Sequence, residues 1–282
     1  MEPSDSTATE RSDADRSASR PIGVFDSGLG GLTVARAVIE VLPQESIVYF
    51  GDTARFPYGP KPLDEVKRNA DEVISFLVEQ DVKLIVVACN SASSALFRLG
   101  RPRLDVPLVT VIDPPAQTAA RLTRNKRVGI VGTEATIASR QYEEALLRTR
   151  IPVEVFAKAC PEFVDLAERG ETVGTRVLST AERYLEGLRD AGVDTLILGC
   201  THYPLLQATI QYVMGPDVLL VSSAEETAKD VYTVLVANDL LRKDSATPTY
   251  EFYASGDEEA FGRLGPRFLG PVISGVKRHP LG

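Results

Sequence analysis

Two cysteines close two apolar runs in the same way, and thiols so placed can carry proton-transfer chemistry. The first run reads Lys83-Leu-Ile-Val-Val-Ala-Cys89-Asn90-Ser91-Ala-Ser, the second Asp194-Thr-Leu-Ile-Leu-Gly199-Cys200-Thr201-His202-Tyr203-Pro204. Each run is short and apolar enough for a buried strand, and each Cys precedes small hydrogen-bonding residues that can open a helix. In open α/β sheets, ligands bind beyond the carboxyl ends of the strands. Two thiols facing one crevice from two half-related units would be an acid and a base on opposite faces of one substrate. A free thiol is only about a few per cent ionised at pH 7, so each needs a neighbour that favours the thiolate.

Other loops carry candidate partners. Asp26-Ser27-Gly28-Leu29-Gly30-Gly31-Leu32-Thr33 looks like a dinucleotide fingerprint, but Thr33 stands where the third glycine is needed. Its backbone amides can still hold a carboxylate. Asp26 reads equally as an N-cap-like residue and as a catalytic partner. The loop at 51–60 holds Pro57, Tyr58 and Gly59, and offers the Tyr58 hydroxyl. Thr133 and Thr136 can cap a helix or bind an anion together, and capping is the first role for such a pair. Cys160 reads as a small buried filler. Glu168 is either a solvated helix residue or a carboxylate beside a catalytic group. Cys200 and His202 are two residues apart, a spacing whose side chains point the same way along a strand without facing each other. That argues against a Cys–His hydrolase, and two ligands alone do not make a zinc site.

The elements that must position these residues alternate. Strands are expected at 21–25, 46–50, 83–88, 107–112, 127–131, 153–159, 194–199, 218–221 and 249–254. Helices are expected at 33–41, 63–80, 137–148, 175–190, 224–241 and 258–268. The clearest is 63–80, where Leu63, Val66, Ala70, Val73 and Leu77 recur at three- and four-residue spacing. Apolar strands alternating with helices predict parallel sheets covered on both faces. The duplicated Cys-ended strand favours two sheets over one. Asp113-Pro114-Pro115 reads as a break in the chain after the fourth strand. The expected organisation is a first unit at 21–112, completed by 222–282, and a second unit at 113–221.

The 282 residues are 44% hydrophobic and 25% charged, a globular balance, with a net charge of −8. No basic run with interleaved aromatics supports nucleic-acid binding, and no apolar run is long enough to span a membrane. Residues 1–20 lack the apolar segment of a secretory signal and read as a disordered tail. Three cysteines are too few and too odd for a disulfide framework and fit a reducing cytoplasm.

Six motifs occur in order: Asp26-Ser27-Gly28, Pro57-Tyr58-Gly59, Ala88-Cys89-Asn90-Ser91-Ala92, Thr133-x-x-Thr136, Cys160-Pro161-x-Phe163 and Gly199-Cys200-Thr201-His202-Tyr203-Pro204. Together they resemble the glutamate racemases, over about residues 21–282. Ser91 stands where that family usually has Thr, and Asp113 where it more often has Glu. Aspartate racemases typically carry Thr-Glu after their second cysteine, so His202 favours glutamate. The resemblance implies two pseudo-symmetric Rossmann-like or flavodoxin-like α/β domains, mainly parallel, with the active site in the cleft between them. It implies cofactor-independent interconversion of L- and D-glutamate, supplying D-glutamate for peptidoglycan. Cys89 would take the α-proton from D-glutamate and Cys200 from L-glutamate. Asp26 would assist Cys89; Glu168 and His202 would assist Cys200. Substrate would be held by Asp26, Ser27, Pro57, Tyr58, Gly59, Asn90, Ser91, Thr133, Thr136, Thr201 and His202. A cytoplasmic homodimer is the default expectation, with no membrane or direct nucleic-acid contact. Some family members bind DNA gyrase, a partner nothing in this sequence supports. The competing readings are a racemase of aspartate or a related acid, and a non-catalytic α/β ligand-binding protein whose cysteines only pack.

Overall fold

The computed structural model describes residues 13–282. Strands β1 (Ile22–Asp26), β2 (Ile47–Gly51), β3 (Leu84–Val87), β4 (Leu108–Thr110), β5 (Arg127–Gly132), β6 (Glu154–Ala159), β7 (Thr195–Gly199), β8 (Leu219–Ser222), β9 (Tyr250–Ala254) and β10 (Lys277–Arg278) form two sheets. The first has the order β10-β9-β2-β1-β3-β4, the second β6-β5-β7-β8. Every pair is parallel. The four strands β2-β1-β3-β4 and the four strands β6-β5-β7-β8 therefore repeat one winding. Cys89 follows β3 and Cys200 follows β7, the equivalent strands of the two halves. The expected strands coincide with β1–β9 to within a residue or two; only the two-residue β10 is additional.

The helices are α1 (Asp13–Ser19), α2 (Leu32–Val41), α3 (Leu63–Glu79), α4 (Asn90–Leu99), α5 (Asp113–Leu122), α6 (Glu134–Ser139), α7 (Gln141–Arg148), α8 (Glu162–Arg169), α9 (Thr175–Asp190), α10 (Gln207–Met214), α11 (Ser223–Ala237), α12 (Glu258–Leu264) and α13 (Pro266–Leu269). They cover both faces of each sheet. In the first, Val24, Tyr49 and Val86 pack with α2 and α11, while Phe25, Phe50, Ile85 and Val87 pack with α3 and α4. In the second, Leu196 and Leu198 face α9 and α10, while Ile130 and Ile197 face α5 and α7. Burial on both faces is why these strands read as continuous apolar runs rather than alternating ones.

Three expectations are corrected. The tail does not extend to residue 20: residues 13–19 form α1, Ala18 is buried, and only 1–12 lie outside the described residues. Asp113-Pro114-Pro115 starts a helix rather than breaking the chain, because proline is tolerated in the first turn, where its missing N–H has no partner to lose. Two single helices each divide. The expected 137–148 helix is interrupted at Arg140, in the left-handed conformation (φ 57°), and the expected 258–268 helix at Gly265.

Candidate active site

A cavity of about 230 Å³ lies at the carboxyl ends of both sheets, lined by both thiols. Its volume is below the range usual for drug-sized ligands and suits a small metabolite. Of the residues singled out in the sequence, Asp26, Ser27, Pro57, Tyr58, Gly59, Cys89, Asn90, Ser91, Thr133, Cys200, Thr201 and His202 line it. Among the described residues, no lysine or arginine does. An anionic ligand there is met by neutral donors and by the His202 ring.

Cys89 is the N-cap of α4, its Sγ accepting the Ala92 N–H at 3.4 Å and lying 3.7 Å from Ser27 Oγ. Burial, and then the negative charge of Asp26, push this thiol up to about 12; the hydrogen bonds from Ala92 and Ser27 pull the other way. Asp26 ends β1 and accepts the Gly28 N–H at 2.9 Å. It forms the turn and also lies close enough to Cys89 for its charge to act on the thiol. Burial raises its carboxyl above the usual carboxylate range, against the cationic pull of His202.

Cys200 has a different environment. Its Sγ is 3.8 Å from His202 Nδ1, and His202 Nε2 is 2.6 Å from Glu168 Oε1. The expectation that Cys200 and His202 do not face each other is overturned: β7 ends at Gly199, and beyond it the chain turns, so strand alternation no longer applies. Burial opposes a charge on this imidazole, yet the bonds to Cys200 and Glu168 outweigh it and lift it to about 10. A cationic imidazole beside a sulfur favours the thiolate. Glu168 does not line the cavity; it stands behind His202 as its charge partner. Rings of Phe56 and Phe268 flank the imidazole, with centroids 6.1 and 5.7 Å away.

Two other side chains sit differently from expectation. The Tyr58 hydroxyl donates to Asp52, which also accepts from Ser255 and Arg55, so only the phenol oxygen's acceptor capacity is left for a ligand. Thr136 lies behind Thr133: Thr133 Oγ1 caps α6 through the Thr136 N–H at 3.3 Å and lies 2.9 Å from both Thr136 Oγ1 and Ser91 Oγ. Sequence reasoning did not assign Phe56, Pro60, Glu134, Pro161, Val164 and Asp165 to the lining, although Pro161 lies inside one of its motifs and the others lie beside them. It also missed Thr33, whose Oγ1 lies 2.8 Å from Gly30 O and 2.9 Å from Thr201 O.

Several contacts tie the halves together beside the cavity, among them Thr33 with Thr201, Ser91 with Thr133, and the Ala135 N–H donating to Gly59 O at 3.0 Å. At Gly30 a Cβ would lie 2.5 Å from the His202 ring, so only glycine lets the β1–α2 loop approach that closely. Among the described residues, no three His, Cys, Asp or Glu side chains converge as metal ligands would.

The sequence model of the Asp/Glu/hydantoin racemase family matches residues 24–231. A glutamate racemase of Beutenbergia cavernae is 54% identical over 268 residues, covering 91% of each chain. The crystal structure of a Bacillus anthracis glutamate racemase superposes with a TM-score of 0.87 at 38% identity, covering 93% of this chain and 97% of that one. A Francisella tularensis glutamate racemase, solved with D-glutamate, gives 0.85 at 34% identity, over 93% and 98%.

Proposed function

The chain belongs to the Asp/Glu/hydantoin racemase family, and on that premise we propose that it interconverts L- and D-glutamate by two-base proton transfer between Cys89 and Cys200. The observation that carries the mechanism is that the two thiols end equivalent strands and line one small cavity. Racemisation removes the α-proton from one face and returns a proton to the other. A thiolate on one side and a thiol on the other do both without either base changing place.

The two environments suit opposite starting states. Cys200 lies beside the imidazole that Glu168 keeps charged and is the base that takes the α-proton of L-glutamate. Cys89 is held as a thiol by burial and by Asp26 and supplies the proton to the other face. In the reverse direction Cys89 is the base, and Asp26, itself raised, accepts its proton or shares it. The substrate carboxylates are held by Ser27, Asn90, Ser91, Thr133 and Thr201, and the developing carbanion by donors in a cavity that dries when the two halves close on the substrate. The closing bodies are 21–112 with 222–282 on one side and 113–221 on the other. Supply of D-glutamate for peptidoglycan, in the cytoplasm, is the role such an activity fits.

The test is the optical rotation of each glutamate enantiomer with purified protein in EDTA, without added pyridoxal phosphate, in D₂O. Decay of both rotations to zero with deuterium at the α-carbon is expected. A stable rotation with glutamate but decay with aspartate would transfer the reading to that acid; no decay with either would remove the racemase reading.

A further inference from the structure

One side chain touches the neighbours of both thiols, and the mechanism above does not use it. Tyr142, on α7 of the second sheet's half, is buried at 1% exposure, and its hydroxyl donates to Asn90 Oδ1 at 2.7 Å. Asn90 directly follows Cys89, in the other half. The same end of the Tyr142 ring lies against the residue before Cys200: a Cβ at Gly199 would be 2.9 Å from Tyr142 Cε2. One phenol therefore touches the shoulders of both thiol-bearing strand ends. The other Asn90 amide atom, Nδ2, is buried without a protein partner although the residue lines the cavity. A buried donor left unpaired is unfavourable unless a ligand meets it.

We infer that Tyr142 is the positioning residue that fixes the Asn90 amide, turning its –NH₂ into the cavity as a donor for a substrate carboxylate. This rests on the racemase reading. The flipped amide would place Oδ1 in the cavity, an acceptor that repels a carboxylate, and would need the Tyr142 hydroxyl to donate instead to Val111 O, which is 3.3 Å away. The shorter bond to Oδ1 sets the orientation. Burial keeps the phenol protonated, so it remains a donor across the working pH range. In a cavity without lysine or arginine, a correctly turned amide is one of few groups that can meet a carboxylate.

The experiment is steady-state racemisation by wild type, Tyr142→Phe, Asn90→Ala and the double variant, in both directions. Because the equilibrium constant of racemisation is one, kcat/KM falls equally for both enantiomers, and the split between its parts is the readout. Phe keeps the ring under Gly199, so the expectation is a KM raised about tenfold with kcat within about twofold, the pattern of lost uniform binding. The double variant should be no worse than Asn90→Ala alone. An unchanged KM in Tyr142→Phe, a loss confined to kcat, or penalties that add in full would show Tyr142 to be core filler and overturn the inference. Asn90→Asp gives a second reading in a chain that keeps the tyrosine. Weaker glutamate binding than in Asn90→Ala is expected, since an acceptor would then face the carboxylate; equal or tighter binding overturns it. An inactive wild type would instead remove the racemase reading beneath it.

Discussion

The two cysteines are equally buried, each residue 5% exposed, so what separates them is charge rather than burial. One faces a carboxylate and a helix N-terminus; the other faces an imidazole with a carboxylate behind it. The charge on His202 has a consequence for stability. Its folded value, about 10, is above the ordinary 6.5. Below about pH 6.5 both the folded and the unfolded imidazole are protonated, and the contribution is fully present. As pH rises from there, the unfolded chain releases the proton that the folded chain keeps, and the contribution is lost by the time pH passes through about 10. Thermal unfolding of wild type and His202→Gln between pH 6 and 10 measures this. The wild type's advantage should be largest at pH 6 and shrink steadily. A difference that stays flat across the range would mean that the native imidazole is neutral, and Cys200 would lose its cationic neighbour.

At the scale of elements, the sequence was most legible where burial dictates pattern. Strands packed on both faces become unbroken apolar runs, which is why β1, β2, β3 and β7 could be read, and the amphipathic repeat of α3 was equally plain. Helices such as α4 and α8 were not read: α4 is built largely of small residues, and α8, eight residues long, ends before its apolar face can repeat over several turns. Most of the cavity lining was legible from the strand-end motifs. What was hidden depends on which way the chain turns after the strand: the Cys200–His202 approach, the capture of Tyr58 by Asp52, and the reach of Tyr142 to Asn90. Pairing across 52 residues has no local signature. The β1–α2 loop illustrates the same limit. Its glycines suggest a sharp turn whose amides can hold a carboxylate; Gly30 also makes room for His202 and Thr201. Gly30→Ala should cost about 10²-fold in kcat/KM, the scale of an ångström-sized displacement of catalytic groups. Gly187→Ala, in α9 with nothing within 4 Å of the added carbon, should leave activity unchanged and stabilise by about 0.5–1 kcal/mol. Equal activity of the two variants would show that the loop yields and that the close approach is not needed.

Across the whole molecule, stability and chemistry sit at opposite ends of the strands. The thiols and their partners lie beyond the carboxyl ends, while a buried ion pair lies at the amino ends of the first sheet. Lys83, which precedes β3, has a side chain with 0% exposure; its Nζ is 2.5 Å from Glu45 Oε2 and donates to Ala18 O at 2.6 Å. A lysine buried in this way is tolerated only because its charge is met, and one of the groups meeting it is the C-terminal end of α1. Burial lowers its pKa, against the pull of Glu45. α1 is thus part of the fold's electrostatic balance, although its sequence reads as a solvated tail. Deleting residues 1–20 removes one acceptor from a buried cation and uncovers the apolar surface under Ala18. The loss of a hydrogen bond to a charged group predicts about 1.5–3 kcal/mol of destabilisation, read as a lower urea midpoint with an unchanged slope. Because the sheet separates that end from the cavity, kcat and KM should hold wherever the deleted chain is still folded. If the midpoint does not move, Lys83 is satisfied by Glu45 alone and α1 is incidental. If turnover falls while the midpoint holds, the N-terminal segment reaches the active site by a route that the strand-end geometry does not provide.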